Sequence, residues 1–298
     1  MIDKQISDIL SDNKHSLIGE YRYLCTKMRT ITRMDSTMNV KADTIALLQE
    51  CDSLKTRLAN LRPLPAEALK KIEEAYNIEY TYESNRIEGN TLTLQETELV
   101  VNEGVTIVGK SMREHLEAIN HAEAIDYIRD FAKSDVEIAE TTIKEIHALV
   151  LHGINRKNAG RYRSVPVRIS GSSHTPPQPY QLAKQMEAFM AHFREMETAN
   201  AHPVLIAAYL HEALVRIHPF IDRNGRTSRL LMNLYLLRHG YTIVNLKGND
   251  EARRAYYDAL EASHTDPAPF QRLVIENEIS SLKSYLSVLG AEETSQTI

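Results

Sequence analysis

Apolar residues recur with helical spacing along nearly all of this chain, and that periodicity narrows the fold more than any other feature. It is legible through 3–61, as in "IALLQECDSLKTRLANL", and again at 65–89, 111–132, 140–151, 181–197, 203–216, 225–239, 250–263 and 268–288. Apolar residues three and four apart put one stripe on a helix, which another helix must cover. The pattern breaks at 153–180, where "VPVRIS" alternates like a strand between glycines, serines and prolines. The fold class expected is all-α, a helical bundle interrupted by one short β-hairpin.

Punctuation supplies the boundaries. "RPLP" at 62–65 closes an N-terminal helical region, 1–64, and opens a core, 65–288. A helix starting near Pro65 stops at Gly89, a natural residue for the turn past a helix end. "TLTLQETELVVNEG" reads as a helix between a threonine start and a glycine stop, and 289–298 as a flexible tail. At 298 residues, 43% hydrophobic and 25% charged, the chain is an ordinary globular protein with room for a sizeable core. A net charge of −5 argues against a nucleic-acid or anionic-membrane partner. Cys25 and Cys51 both fall in helical sequence and read as reduced, structural thiols. "MIDKQISDIL" is amphipathic and acidic, unlike a signal peptide, and "LLMNLYLL" is broken at Asn233 too soon to span a bilayer. The expected location is cytoplasmic.

One stretch carries chemistry: "RIHPFIDRNGRTSR", 216–229. Asn224-Gly225 is a turn dipeptide, with a helix expected from about Arg226. The first N–H groups of that helix lack partners and its dipole is positive there, so an anion belongs at that point, and glycine lets it approach the backbone. Arg226 and Arg229, three apart, share a helix face and can grip further phosphates. Asp222 is placed to hold a divalent metal bridging phosphates, and His218 is a natural base for an attacking hydroxyl. Phe220 points into the core. Taken singly, His218 could be a satisfied core histidine, Asp222 a helix cap and the arginines a solvated rim; together they favour a phosphate-handling site.

"HPFIDRNGRTSR" resembles the signature of the Fic family, His-Pro-Phe-x-(Asp/Glu)-Gly-Asn-Gly-Arg-x-x-Arg, at His218, Pro219, Phe220, Asp222, Asn224, Gly225, Arg226 and Arg229. "AGRYRSVPVRISGSSHTPP" looks like that family's flap hairpin, about 160–177, and "RRAYYDALEASHTDPAPF" like its base-side helix. The resemblance covers roughly 75–280. It implies a Fic-type helical bundle that transfers AMP from ATP to a hydroxyl of a target protein. His218 would deprotonate a target Ser, Thr or Tyr, and Asp222 would hold Mg²⁺ on the α- and β-phosphates. Asn224, Gly225 and Arg226 would form the anion hole, Arg229 would hold the γ-phosphate, and Tyr256, Tyr257 and His264 would lie on the adenine side. Flap residues such as Gly171, Ser172, Ser173 and His174 would pin the target by main-chain pairing.

Arg223 departs from the signature's glycine. It sits among the phosphate-binding residues, yet a solvated rim is its default reading, with a nucleotide or target contact as the alternative. A positive φ there would cost roughly 1 kcal/mol. "SNRIEG", 84–89, resembles the family's inhibitory motif at Ser84, Glu88 and Gly89. Glu88 paired with Arg229 would take the γ-phosphate's partner and add a negative charge. Three readings stay open: an autoinhibited adenylyltransferase acting on a target protein or on itself; a Fic-fold enzyme that uses another nucleotide donor or removes AMP; and a catalytically silent nucleotide-binding module. The helices at 1–61 would dock a target or form a homodimer.

Overall fold

The structure, a computed structural model, describes residues 42–61 and 66–290. The expectations for 1–41, including Cys25, the "RPLP" boundary and the tail from 291 lie outside those residues. Ten α-helices form the described chain: α1 Ala42–Asn60, α2 Ala66–Ile87, α3 Leu94–Glu103, α4 Met112–Lys133, α5 Glu140–Val150, α6 Leu182–Thr198, α7 Pro203–Ile217, α8 Asn224–Arg238, α9 Asp250–Ala262 and α10 Ala268–Val288. From Ala46 onward they make one compact unit.

α7 and α8 are its centre. Leu210, His211, Ala213 and Leu214 of α7 are buried on successive faces, as is every residue from Arg226 to Leu236 of α8. Helices that are buried all round must be surrounded by others. α4 and α5 cover α8, α6 and α10 cover α7, and α2 packs on α4 while touching α8. In α1, Leu48, Cys51, Leu54 and Leu58 recur at three and four and join the same core, where Cys51 is a free thiol. α8 begins at Asn224, two residues ahead of the expected Arg226.

Local chemistry sets the helix ends. Ser111 and Thr93 open α4 and α3 with capping boxes, completed by Glu114 and Glu96. At the end of α2, Asn90 N–H donates to Asn85 C=O and Gly89 N–H to Arg86 C=O, both within 3.1 Å. This is the paired closure that needs a left-handed residue, and Gly89 has φ +90°. A Cβ at Gly89 would meet nothing within 4 Å, so glycine is there for its dihedral rather than for space. Glu88 is thereby fixed one residue before the turn, four after Ser84 on the same helix face.

The β-hairpin does not form. No strand occurs among the described residues, and 160–177 runs as an extended loop. Between 164 and 177 its one main-chain bond is Ser172 N–H to Ile169 C=O, at 3.3 Å. "VPVRIS" has the alternation of a pleated segment, but a strand exists only when a neighbour completes its ladder. Pro166, Pro176 and Pro177 have no N–H to offer one.

Candidate functional site

The turn joining α7 to α8, residues 218–223, is bracketed by two non-glycine residues in the left-handed region, His218 at φ +51° and Arg223 at φ +65°. Each costs about 1 kcal/mol, which neighbouring bonds must offset. Phe220 is fully buried and stacks on His147, with centroids 3.6 Å apart and planes 8° apart. Asn224 closes the turn in both directions, accepting from Phe220 N–H and donating to Phe220 C=O, each at 3.0 Å. Gly160 N–H donates to His147 Nδ1, so Nε2 carries the hydrogen and donates to Asp222 C=O at 3.2 Å. Burial pushes His147 down to about 4 and keeps it neutral.

His218 caps α7, its N–H donating to Leu214 C=O at 2.9 Å. Its Nδ1 faces Val215 C=O at 3.2 Å and must carry the hydrogen, which leaves a lone pair on Nε2. Burial lowers its pKa below the usual histidine value, so the ring is neutral at neutral pH. His218 lines a cavity of about 340 Å³ with Glu88, Gly225, Tyr256, Tyr257, His264 and the flap residues Gly171 and Ser172.

Glu88 stands at the anion-ready end of α8. Arg229 Nη2 donates to Glu88 Oε1 at 2.7 Å, and a Cβ on residue 225 would come within 2.5 Å of that same oxygen. Only glycine leaves the carboxylate this room. Burial works to raise the Glu88 pKa, but Arg229, Arg226 and Arg223 outweigh it and the net shift is downward. The carboxylate is therefore ionised, with its side chain 26% exposed. Arg229 is itself 1% exposed and spends its other donors on Ser84 Oγ, Ser84 C=O and the Tyr256 hydroxyl, at 3.0, 3.0 and 3.2 Å.

Arg226 shares that helix face, but the face is internal: Nη1 donates to Asn85 Oδ1 at 2.8 Å and lies 3.5 Å from Glu117. Burial pulls Arg226 down to about 10, still cationic near neutrality. Arg223 corrects the solvated-rim reading. It is 8% exposed, donates to Glu117 at 2.5 Å and contacts Asp222 at 3.1 Å. The cause is Glu117 on α4, a buried carboxylate that would be costly unpaired; it also gathers Arg113 and the Asn90 amide, at 3.2 and 3.1 Å.

Asp222 keeps a 45% exposed side chain facing Arg113 and Arg223. No cluster of three or more His, Cys, Asp or Glu able to hold a metal occurs among the described residues. A single exposed carboxylate fits Mg²⁺, which keeps several waters and takes phosphate oxygens as its other ligands.

The flap tip is tied to α9 by side chains. Glu261 accepts from Ser172 Oγ at 2.6 Å, from Ser173 N–H at 2.9 Å and from the Ser173 hydroxyl. These bonds hold Glu261 down at about 2. His174 sits against Arg216 C=O at 2.9 Å and stacks on His264 at 4.3 Å. Tyr257 is 47% exposed at the cavity, with its hydroxyl 3.4 Å from Ile87 C=O. Tyr256 lines the same cavity as Tyr257 and His264. It is 2% exposed, and its hydroxyl lies between Arg229 Nη1 and His211 Nε2, at 3.2 and 3.1 Å.

Sequence reasoning passed over His147, Glu117, Arg163 and Glu261. Each acts on a residue 55 to 106 positions away, and no local spacing signals such a pairing.

Residues 137–236 match the model of the Fic/DOC family. The protein adenylyltransferase Fic of Nematostella vectensis is 39% identical over 253 residues, covering 82% of this chain and 58% of that protein. Its namesake from Drosophila persimilis is 37% identical over 240 residues, covering 80% of this chain and 46% of that protein. The chain thus spans about half the length of the curated relatives it matches. Among solved structures, a Fic-1 fragment from C. elegans superposes with a TM-score of 0.76 at 30% identity, covering 89% of this chain and 78% of its own. A Fic domain containing signaling protein from Bacteroides thetaiotaomicron gives 0.74 at 26%, covering 82% and 99%.

Proposed function

The chain belongs to the Fic/DOC family, and on that premise we propose that it transfers AMP from ATP to a Ser, Thr or Tyr hydroxyl of a target protein, with Glu88 holding the activity down. One observation carries the reading: a neutral His218 with a bare Nε2 lines the same cavity as Gly225 at the start of α8. The target oxygen attacks the α-phosphorus as Nε2 takes its proton. The new O–P bond forms while the bond to the β-phosphate oxygen breaks, and pyrophosphate leaves. A base so placed contributes typically 10²- to 10⁴-fold. The free N–H groups of α8 take phosphate oxygens. Asp222 would hold Mg²⁺, which when bound offsets the charge of the α- and β-phosphates. Tyr257 and His264 flank the adenine side, and the unpaired edge of the flap receives the target by main-chain pairing.

Glu88 inhibits by position: its ionised carboxylate occupies the point of α8 that phosphates require and engages the arginine assigned to the γ-phosphate. Incubation with α-labelled ATP tests both parts. Glu88→Gly should incorporate more label than the unaltered chain, and an absence of label in any protein, the chain itself included, sinks the reading. On the Glu88→Gly background, His218→Ala should abolish transfer yet bind ATP in calorimetric titration, because His218 acts on the hydroxyl and not on the phosphates. A large loss of ATP affinity would contradict that role.

A second reading, removal of AMP from a modified protein, is favoured by the ionised Glu88 and His218 sharing one cavity, where the carboxylate can orient a water. Under it, Glu88→Gly would lose the ability to release AMP from a labelled protein.

A further inference from the structure

We propose that Arg163 is a positioning residue that fastens the base His218 and the target-binding flap to each other, so that a hydroxyl presented on the flap meets Nε2 in line. The proposal rests on the adenylyltransferase reading above.

Arg163 is 5% exposed. It reaches three main-chain carbonyls: Nε–H donates to His218 C=O at 2.8 Å, Nη1 to Val165 C=O at 3.1 Å and Nη2 to Pro177 C=O at 2.6 Å. Its own N–H donates to Pro219 C=O at 2.9 Å. Val165 lies in the first half of the flap and Pro177 at its end, and His218 is the base. One planar group therefore joins the three.

Two features argue that this is more than a tie in the fold. The flap makes no ladder of its own, so the spacing between Val165 and Pro177 is set by this guanidinium, near the start of the same segment. His218 holds a left-handed backbone, and Arg163 binds the carbonyl of that very residue. A buried cation is also a costly choice for mere packing. Arg163 makes no ion pair among the described residues, and an apolar side chain would fill the space with no charge to desolvate. What an apolar group or a lysine cannot do is span three acceptors in fixed directions, which the guanidinium fork does.

The same geometry gives a readout that a structural role alone would not move. The charges acting on His218 are Arg163, Glu88 at the end of α2 and Asp222 in the turn. Burial lowers the His218 pKa most, the bond to Val215 C=O raises it, Arg163 lowers it, and the two carboxylates raise it. Replacing Arg163 by a neutral group should therefore raise the pKa of His218, while a lysine should keep it low.

The test compares the parent with Arg163→Lys and Arg163→Gln. Histidine-labelled chains are titrated by NMR, with the His218 signal identified by its loss in His218→Ala. AMP transfer is measured on the Glu88→Gly background, with a His218→Ala copy of this chain as acceptor and both ATP and acceptor concentrations varied. In both variants kcat should fall and the acceptor KM rise, together about 100-fold as for an ångström of misplacement, with the KM for ATP unchanged. His218 should titrate at higher pH in Arg163→Gln and close to the parent in Arg163→Lys. An unmoved His218 titration in Arg163→Gln overturns the proposal, as does an ATP KM that rises along with the acceptor KM. If the Glu88→Gly parent labels neither this copy nor any other protein, the adenylyltransferase reading fails on its own, and the titration still decides whether Arg163 sets the state of His218.

Discussion

Arg229 is asked to do two things with one guanidinium. It holds Glu88 at 2.7 Å, and in the proposed reaction it holds the γ-phosphate once Glu88 leaves. A purely structural bridge would make its two partners equivalent under mutation, and here they should differ. Glu88→Gly frees the grip and should raise AMP transfer. Arg229→Ala frees the cavity but leaves nothing to align the triphosphate, so transfer should not rise. It should also destabilise the fold, by about 3–5 kcal/mol for one partner of a buried pair, because Ser84 and Tyr256 lose a donor as well. Assays therefore belong well below the melting temperature of each variant. The double variant should resemble Arg229→Ala, since Glu88 acts mainly through that partner. Transfer that is unchanged or lower in Glu88→Gly would make Glu88 structural or catalytic.

At the scale of elements, what could be read from the chain was what local geometry decides. Gly89 ends α2 because the turn needs a positive φ, and that requirement is visible in one residue. The anion-ready start of α8 follows from Asn224-Gly225 alone. The flap was misread for the complementary reason: strand structure belongs to a pair of segments, and "VPVRIS" has no partner here. What orders the flap tip instead is Glu261, 89 residues from Ser172 in sequence, and no spacing rule connects them. The latch makes its own prediction. The Glu261 pKa is depressed from 4.5 to about 2, so the contact has its full strength above about 4.5 and loses it progressively as pH falls towards about 2. Amide exchange at Ser173, whose N–H donates to Glu261, should keep its protection from pH 7 to about pH 4.5 once intrinsic rates are removed. Glu261→Ala should lose that protection at every pH in the range. Equal protection in the two chains would show that the flap tip is held by something other than this carboxylate.

Over the whole molecule, the helical bundle was legible because a repeating apolar stripe admits few solutions. The central place of α7 follows from its mostly apolar run, whereas α8 is central although it buries Arg226, Thr227, Ser228, Arg229 and Asn233. The polar groups buried in that bundle were not legible, since a glutamate in sequence reads as surface. Glu278 of α10 is such a group. It is 0% exposed, and its Oε1 accepts from Thr242 N–H and hydroxyl at 2.8 Å each, while Oε2 has no partner. Burial raises its pKa to about 8, so it carries a proton at neutral pH. An unfolded glutamate near 4.5 has already lost that proton. Between those values the native state binds more protons than the unfolded one, so stability must fall as pH rises, by up to about 1.4 kcal/mol per pH unit. Glu278→Gln keeps an oxygen for Thr242 and has no proton to lose. The difference in unfolding free energy between variant and parent, from denaturant midpoints, should therefore grow in the variant's favour from pH 5 to pH 8. A difference that stays constant across this window would mean that Glu278 is ionised in the folded core, with a cation of α1 such as Lys55 compensating it.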